Sequence, residues 1–247
     1  MILTIAALFM LVFGIAAYQE NNGNFTINLG INDRRRGMAL GADRSFSYPT
    51  SKLYADRIEF ADNISYNSIP WETDPEAGVI GVDEIDGSHN GQSYVAYTFY
   101  LKNEGLQTIN YRVSLSIEAR AKGAERATWI MVIEDSTHVE AGNNERISTL
   151  YALGQTNSRG EYVDENGNIL PQGEKPLLEV SEDPYGVQPQ ETFASKDLVF
   201  SKVRNLFAHK QVHKYTVVIW IEGSDPQSRI DITGGMIRLK MNFAVLG

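Results

Sequence analysis

A strict two-residue alternation runs through this chain and decides its fold class. Tyr111, Val113, Leu115, Ile117 and Ala119 alternate with Arg112, Ser114, Ser116, Glu118 and Arg120. Successive side chains of a strand point to opposite faces, so this segment has one dry face and one wet face. The pattern recurs in Ile237, Leu239, Met241, Phe243 and Val245, set against Arg238, Lys240, Asn242 and Ala244. Val95, Tyr97, Phe99 and Leu101 form another strand, as do Trp129 to Ile133 and Tyr215 to Glu222. Near the start, Phe25, Ile27, Leu29 and Ile31 alternate with Thr26, Asn28 and Gly30. Asn103-Glu104-Gly105 predicts a short antiparallel connection between the 95–101 and 111–119 strands. Ser195 to Phe207 reads as a short helix or a further strand. Strands separated by Gly, Asn and Asp turns, without interleaved long helices, predict an all-β fold over residues 25–247. Its expected form is an antiparallel two-sheet sandwich, immunoglobulin-like or jelly-roll.

Before the first strand, Met1 to Tyr18 carries no charge and has only Thr4 and Gly14 as interruptions. Such a run is at the lower edge of a bilayer span and predicts an N-terminal apolar helix, either a signal peptide or a membrane anchor. Gly14, Ala16 and Ala17 suit a cleavage region, although no basic stretch precedes the run. The nearest basic cluster, Arg34-Arg35-Arg36, follows it and reads as a charged hairpin tip. Gln19 to Asn24 is expected to be a flexible linker. Residues 154–191 differ from their surroundings: four prolines (Pro171, Pro176, Pro184 and Pro189) interrupt them, and eight acidic side chains lie between Glu161 and Glu191. This stretch reads as a surface insertion, with a small hairpin turning at Asn166-Gly167.

Chemistry is less conspicuous. The absence of cysteine excludes disulfides and thiolate sites, and fits an exported protein. With 22 basic against 31 acidic residues, no nucleic-acid partner is expected. No phosphate loop, dinucleotide fingerprint, nucleophile elbow or zinc-helix motif occurs, so no enzymatic activity is expected. Asp83, Glu84, Asp86 and Asn90 place hard oxygen ligands close together and could enclose calcium, the one cofactor the sequence suggests; a solvated turn is the alternative. Glu222, Asp225 and Asp231 could likewise hold a cation or shape a turn. His209 and His213 stand four apart without a third ligand, and are read as surface residues.

Ser93 to Gly105, ending Lys102-Asn103-Glu104-Gly105, followed by Ile109 to Ile117, resembles the strand, Lys-Asn-x-Gly, strand core of the TasA and camelysin group of Gram-positive surface proteins. Tyr215 to Pro226 and Gly234 to Phe243 are similar to a set of Firmicutes surface proteins of the same layout. The resemblance implies an extracellular sandwich subunit that builds biofilm-matrix fibres, a homopolymer with a membrane contact through residues 1–18 if they are retained. Camelysin was named for a claimed metallo-endopeptidase activity, but no zinc motif here can receive it. A strand after a flexible stretch can complete a neighbour's open edge, so Phe25, Ile27, Leu29 and Ile31 are the expected assembly strand. Pairing of that strand within its own domain is the alternative. A membrane-tethered adhesion or ligand-binding module and a surface metallo-endopeptidase are the competing functions.

Overall fold

The computed structural model describes residues 23–246, apart from 59–60, 138–143, 158, 160, 165, 172–173, 175, 177–185, 226–227 and 229–231. The apolar helix expected over 1–18 and most of the 19–24 linker lie outside the described residues. Among the described residues, no helix is long and apolar enough to cross a membrane.

Among the described residues, twelve strands form two packed sheets. They are β1 (Phe25–Leu29), β2 (Met38–Gly41), β3 (Lys52–Tyr54), β4 (Gly87–Ser88), β5 (Tyr94–Asn103), β6 (Ile109–Ala121), β7 (Thr128–Thr137), β8 (Asn144–Ala152), β9 (Glu191–Thr192), β10 (Leu198–Phe207), β11 (Val212–Ile221) and β12 (Met236–Leu246). The first sheet has the order β10-β6-β12-β1-β3. The second has the order β2-β5-β11-β7-β8-β9, with β4 also on β5. The inward positions Phe99, Leu115, Val217, Leu239 and Phe243 fill the space between them. The strands read from periodicity are thus present, and Ser195 to Phe207 contributes the strand β10.

Four expectations need correction. The sheets are mixed, not purely antiparallel: β1 runs parallel to β12, with Phe25 opposite Leu239 and Leu29 opposite Phe243, and β9 runs parallel to β8. Strands β5 and β6 are not a paired hairpin, because residues 104–108 carry the chain from one sheet to the other. Ile31 does not continue β1. It opens a short helix, α1 (Ile31–Arg35), and is 70% exposed. The turn arises because Asp33 folds back on Gly30. The Asp33 and Arg34 N–H groups donate to the Gly30 carbonyl, and a Cβ on Gly30 would stand 2.3 Å from the Asp33 carboxylate. Arg34 and Arg35 therefore belong to this helix, with Arg36 as its cap, and not to a hairpin tip.

The crossovers 30–37, 104–108 and 208–211 meet at one end of the molecule, here termed the loop end. Crossover 122–127, the close of β11 and the start of β12 lie at the other. Strand β8 also closes there, since Tyr151 near its end pairs with Ile130 while Asn144 at its start pairs with Thr137. This is the insertion end. The outer face of the second sheet is covered by the connection from β3 to β5, which seats Ile69 and Val82 against Trp129, Trp220 and Val218.

Candidate functional site: a buried polar chain between the sheets

The densest polar chemistry lies inside the core. Inward positions of β7 read Ile130, Val132, Glu134, and those of β11 read His213, Tyr215, Val217, so strand alternation itself delivers Glu134 and His213 to the interior. Facing them from the other sheet are Tyr111 on β6 and Arg204 on β10. Arg204 binds the Glu134 carboxylate through two nitrogens, Nε at 2.7 Å from Oε1 and Nη2 at 2.5 Å from Oε2.

One amide orders the protons along the rest of the chain. Gln211 Oε1 accepts from the Ala208 N–H at 2.8 Å, so its Nε2 is the group 3.0 Å from His213 Nε2 and donates to it. His213 then carries its proton on Nδ1 and donates to the Tyr111 hydroxyl at 2.5 Å. Tyr111 donates to Tyr215 at 2.6 Å, and Tyr215 donates to Glu134 Oε1 at 2.9 Å. The sequence Gln211, His213, Tyr111, Tyr215, Glu134 crosses between sheets twice and ends on the arginine.

Burial, reinforced by the nearby Glu134 charge, pushes both the Tyr111 and Tyr215 hydroxyls well above the ordinary phenol range. The hydrogen bonds to Glu134 raise the Arg204 guanidinium above its ordinary value. Beside this pair, a cavity of about 10 Å³ bounded by Val132, Tyr151, Phe200 and Lys202 has room for about one water molecule. Lys202 Nζ caps the stacked Tyr151 and Phe200 rings at 5.2 and 5.8 Å.

The two carboxylate groups picked out in the sequence are spent on the protein itself. Asp83 binds Arg146, Glu84 accepts from the Thr73 hydroxyl at 2.8 Å, and Asp86 accepts from the Tyr100 hydroxyl at 2.6 Å. Asn90 donates to the Asp56 carbonyl and accepts from the Ala96 N–H at 3.0 Å. Glu222 is fully buried and accepts from the Trp220 indole at 2.8 Å, the Tyr66 N–H at 3.1 Å, and the N–H and hydroxyl of Ser224. Asp225 accepts from the Trp129 indole at 2.8 Å. Asp231 lies outside the described residues. Among those described, no group of three or more His, Cys, Asp or Glu side chains is arranged to hold a metal.

Phe25, Ile27 and Leu29, expected from the sequence as an assembly strand, are at most 1% exposed and pair within their own chain. His213, read as a surface residue, is buried; His209 is exposed and holds the Gly105 carbonyl through Nδ1 at 2.7 Å. The polar chain itself was missed, because Tyr111 and Tyr215 count as apolar in an alternation and Glu134 follows an apolar run. The available signal was parity: Glu134 and His213 share the inward register of their strands.

Comparison with protein-family models, with curated proteins and with solved structures finds no match to this chain.

Proposed function

We propose that this chain is an exported cell-surface structural protein, a subunit of homopolymeric extracellular fibres in which β1 is the strand that copies exchange. The observation that carries the reading is the direction of β1. The first sheet without β3 is β10-β6-β12-β1, and the second contains β5-β11-β7-β8. This arrangement supports the jelly-roll form over the immunoglobulin-like one. Within the first sheet the β10–β6, β6–β12 and β1–β3 ladders are antiparallel, whereas β1 lies parallel to β12, the less stable pairing per residue. Because Phe25, Ile27 and Leu29 alternate symmetrically about Ile27, the same strand fits the same groove upside down with its apolar residues still inward. A β1 arriving from another copy can therefore sit antiparallel to β12. None of the residues of α1, which joins β1 to the rest, is buried, so the segment can extend without uncovering core.

The chain has no cysteine, which makes the register testable with introduced pairs. In its own chain Asn28 stands opposite Asn242, with the amides 3.3 Å apart. In the inverted arrangement centred on Ile27 and Met241, Asn28 would instead face Lys240. Fibres of the full exported protein carrying Asn28→Cys and Lys240→Cys should give a covalent ladder on non-reducing gels after oxidation. Fibres joined only within single chains, by an Asn28→Cys/Asn242→Cys bond, would exclude exchange. Failure of the wild-type protein to form any polymer visible by electron microscopy would overturn the reading as a whole.

A further inference from the structure

We propose that the loop end carries an acid-sensitive latch: when the buried His213 imidazole takes up a second proton, the Gln211 amide must release one of its two partners, and the turn from Leu206 to Gln211 loosens. The latch works within a single chain, whether or not copies polymerise.

Two hydrogen bonds close the turn between β10 and β11. The Gln211 N–H donates to the Ala208 carbonyl at 3.1 Å, and the Ala208 N–H donates back to Gln211 Oε1 at 2.8 Å. The turn also holds the end of β5. Lys210 N–H donates to the Asn103 carbonyl at 2.7 Å, Asn103 N–H to the Gln211 carbonyl at 3.1 Å, and Asn103 Nδ2 to the Phe207 carbonyl at 2.8 Å. These bonds restrain a strained backbone, since Leu206 has φ 58° and Lys210 φ 63°, left-handed conformations that neither side chain favours. At 70% exposure, Leu206 has little core packing to keep it there, so the turn depends on its hydrogen bonds.

The inner end of the latch is buried, with Gln211 and His213 each 4% exposed. Gln211 Nε2 donates to His213 Nε2 at 3.0 Å, which the neutral ring accepts while its own proton sits on Nδ1, towards Tyr111. A proton on Nε2 points an N–H at the Gln211 NH2, donor against donor. Turning the amide over offers the ring a carbonyl but aims the NH2 at the Ala208 N–H, so the same conflict moves into the turn. The amide satisfies both neighbours only while His213 is neutral. On β7, Glu134 Oε1 lies 4.0 Å from His213 Nδ1 and is shared with Arg204 of β10. Tyr111 on β6 and Tyr215 on β11 present hydroxyls held well above the ordinary phenol range, so both stay protonated as the ring charges. The remaining neighbours in contact or register do not ionise: the Phe207 ring of β10, 4.5 Å between centroids, Leu101 on β5 and Ser136 on β7. In the alternate register Lys214 and Asp135 pair with each other at 3.8 Å. His209, in the turn itself, is exposed and donates from Nδ1 to the Gly105 carbonyl, a bond that its protonation leaves intact.

Amide hydrogen exchange on the full chain tests the latch, read by NMR at about pH 7.5 and about pH 5.5, on either side of the ordinary imidazole value of about 6.5. Rates are corrected for intrinsic exchange, and the imidazole nitrogen shifts follow the charge on His213. At the lower pH His213 should be charged, and protection of the Ala208, Lys210 and Asn103 amides should fall roughly three- to tenfold, the contribution of one hydrogen bond. The Val217 and Ile219 amides, laddered on both sides, should keep their protection and so show that the fold is intact. Gln211→Glu supplies two acceptor oxygens, one for the Ala208 N–H and one for the charged ring, so protection of the turn should no longer change with pH. His209→Gln, which keeps a donor for the Gly105 carbonyl, should retain the wild-type response. Constant protection in the wild-type turn, or a His213 ring still neutral at about pH 5.5, overturns the latch without recourse to any variant. A response that survives Gln211→Glu in folded protein overturns it too, as does one that disappears in His209→Gln, which would make the exposed ring the sensor.

Discussion

Replacing Arg204 with methionine tests whether the polar chain holds the two sheets together. The Glu134 side chain is 8% exposed and the Arg204 side chain 25%. Removing the guanidinium leaves a carboxylate in the core with the Tyr215 hydroxyl still donating to it. Breaking one partner of a buried pair costs about 3–5 kcal/mol. At ~2–4 °C per kcal/mol for a chain of this size, the melting temperature should fall by roughly 6–20 °C. Adding Glu134→Leu removes the stranded charge and should recover part of the loss, leaving about 1–3 kcal/mol from the Tyr215 hydroxyl that now lacks an acceptor. Urea unfolding followed by circular dichroism measures both variants, and the non-additivity of the pair reports the coupling. If Arg204→Met costs under about 1 kcal/mol, or the double variant is no more stable than the single one, the inter-sheet clamp is not what the geometry implies.

Alkaline pH supplies a second test. The buried Tyr111 and Tyr215 hydroxyls are raised well above 10 and those of Tyr97 and Tyr162 to about 12, so the unfolded chain loses these protons first. Stability should be full below about pH 10 and fall above it, by up to ~1.4 kcal/mol per pH unit for each such tyrosine, with Tyr111→Phe reducing the slope measured by denaturant titration. Calcium at about 1–10 mM, the weak range of extracellular sites, should shift the melting temperature by less than a degree, since Asp83, Asp86 and Glu222 already have protein partners. A calcium-specific shift abolished by Asp83→Asn/Asp86→Asn would reverse that expectation. Charges placed at Ala7 and Leu11 should block export, each costing about 2.5–3.5 kcal/mol at mid-span, and unchanged surface delivery would refute the role of that segment.

Sheet content was legible in the sequence because alternation is a local property: the 111–119 and 237–245 faces can be assigned without knowing what they pack against. Partnering was not. Nothing local to Phe25–Leu29 tells that it lies parallel to β12, more than 200 positions away, and the Asn103-Glu104-Gly105 turn reads the same whether it closes a hairpin or changes sheets. Ile31 continues the alternation but does not extend the strand, because the Asp33 and Arg34 N–H groups donate to the Gly30 carbonyl and turn the chain into a short helix, a backbone pairing that periodicity does not report. The carboxylate groups failed differently. Oxygen density at 83–90 was visible, but Arg146, Thr73 and Tyr100, which take up those oxygens, come from distant or unrelated segments.

The clamp and the proposed exchange place opposite demands on one sheet, and the structure separates them in space. A groove that releases β1 must keep its walls while empty, yet β1 contributes Phe25, Ile27 and Leu29 to the shared core. At ~1.5–3 kcal/mol for each fully buried side chain, their withdrawal removes roughly 5–9 kcal/mol of apolar burial. That is comparable with the net stability of a whole domain. The wall formed by β12 remains paired to β6 along its length, and β6 to β10. Tyr111 on β6 and Arg204 on β10 then fasten this three-stranded remainder to β11 and β7 through groups that are directional, not merely apolar. An open acceptor can thus stay assembled on the side away from the vacant slot, and Arg204→Met should impair polymerisation of folded protein more than it impairs the closed monomer. Equal polymer yield from folded Arg204→Met and wild-type protein would show that the acceptor groove needs no such support.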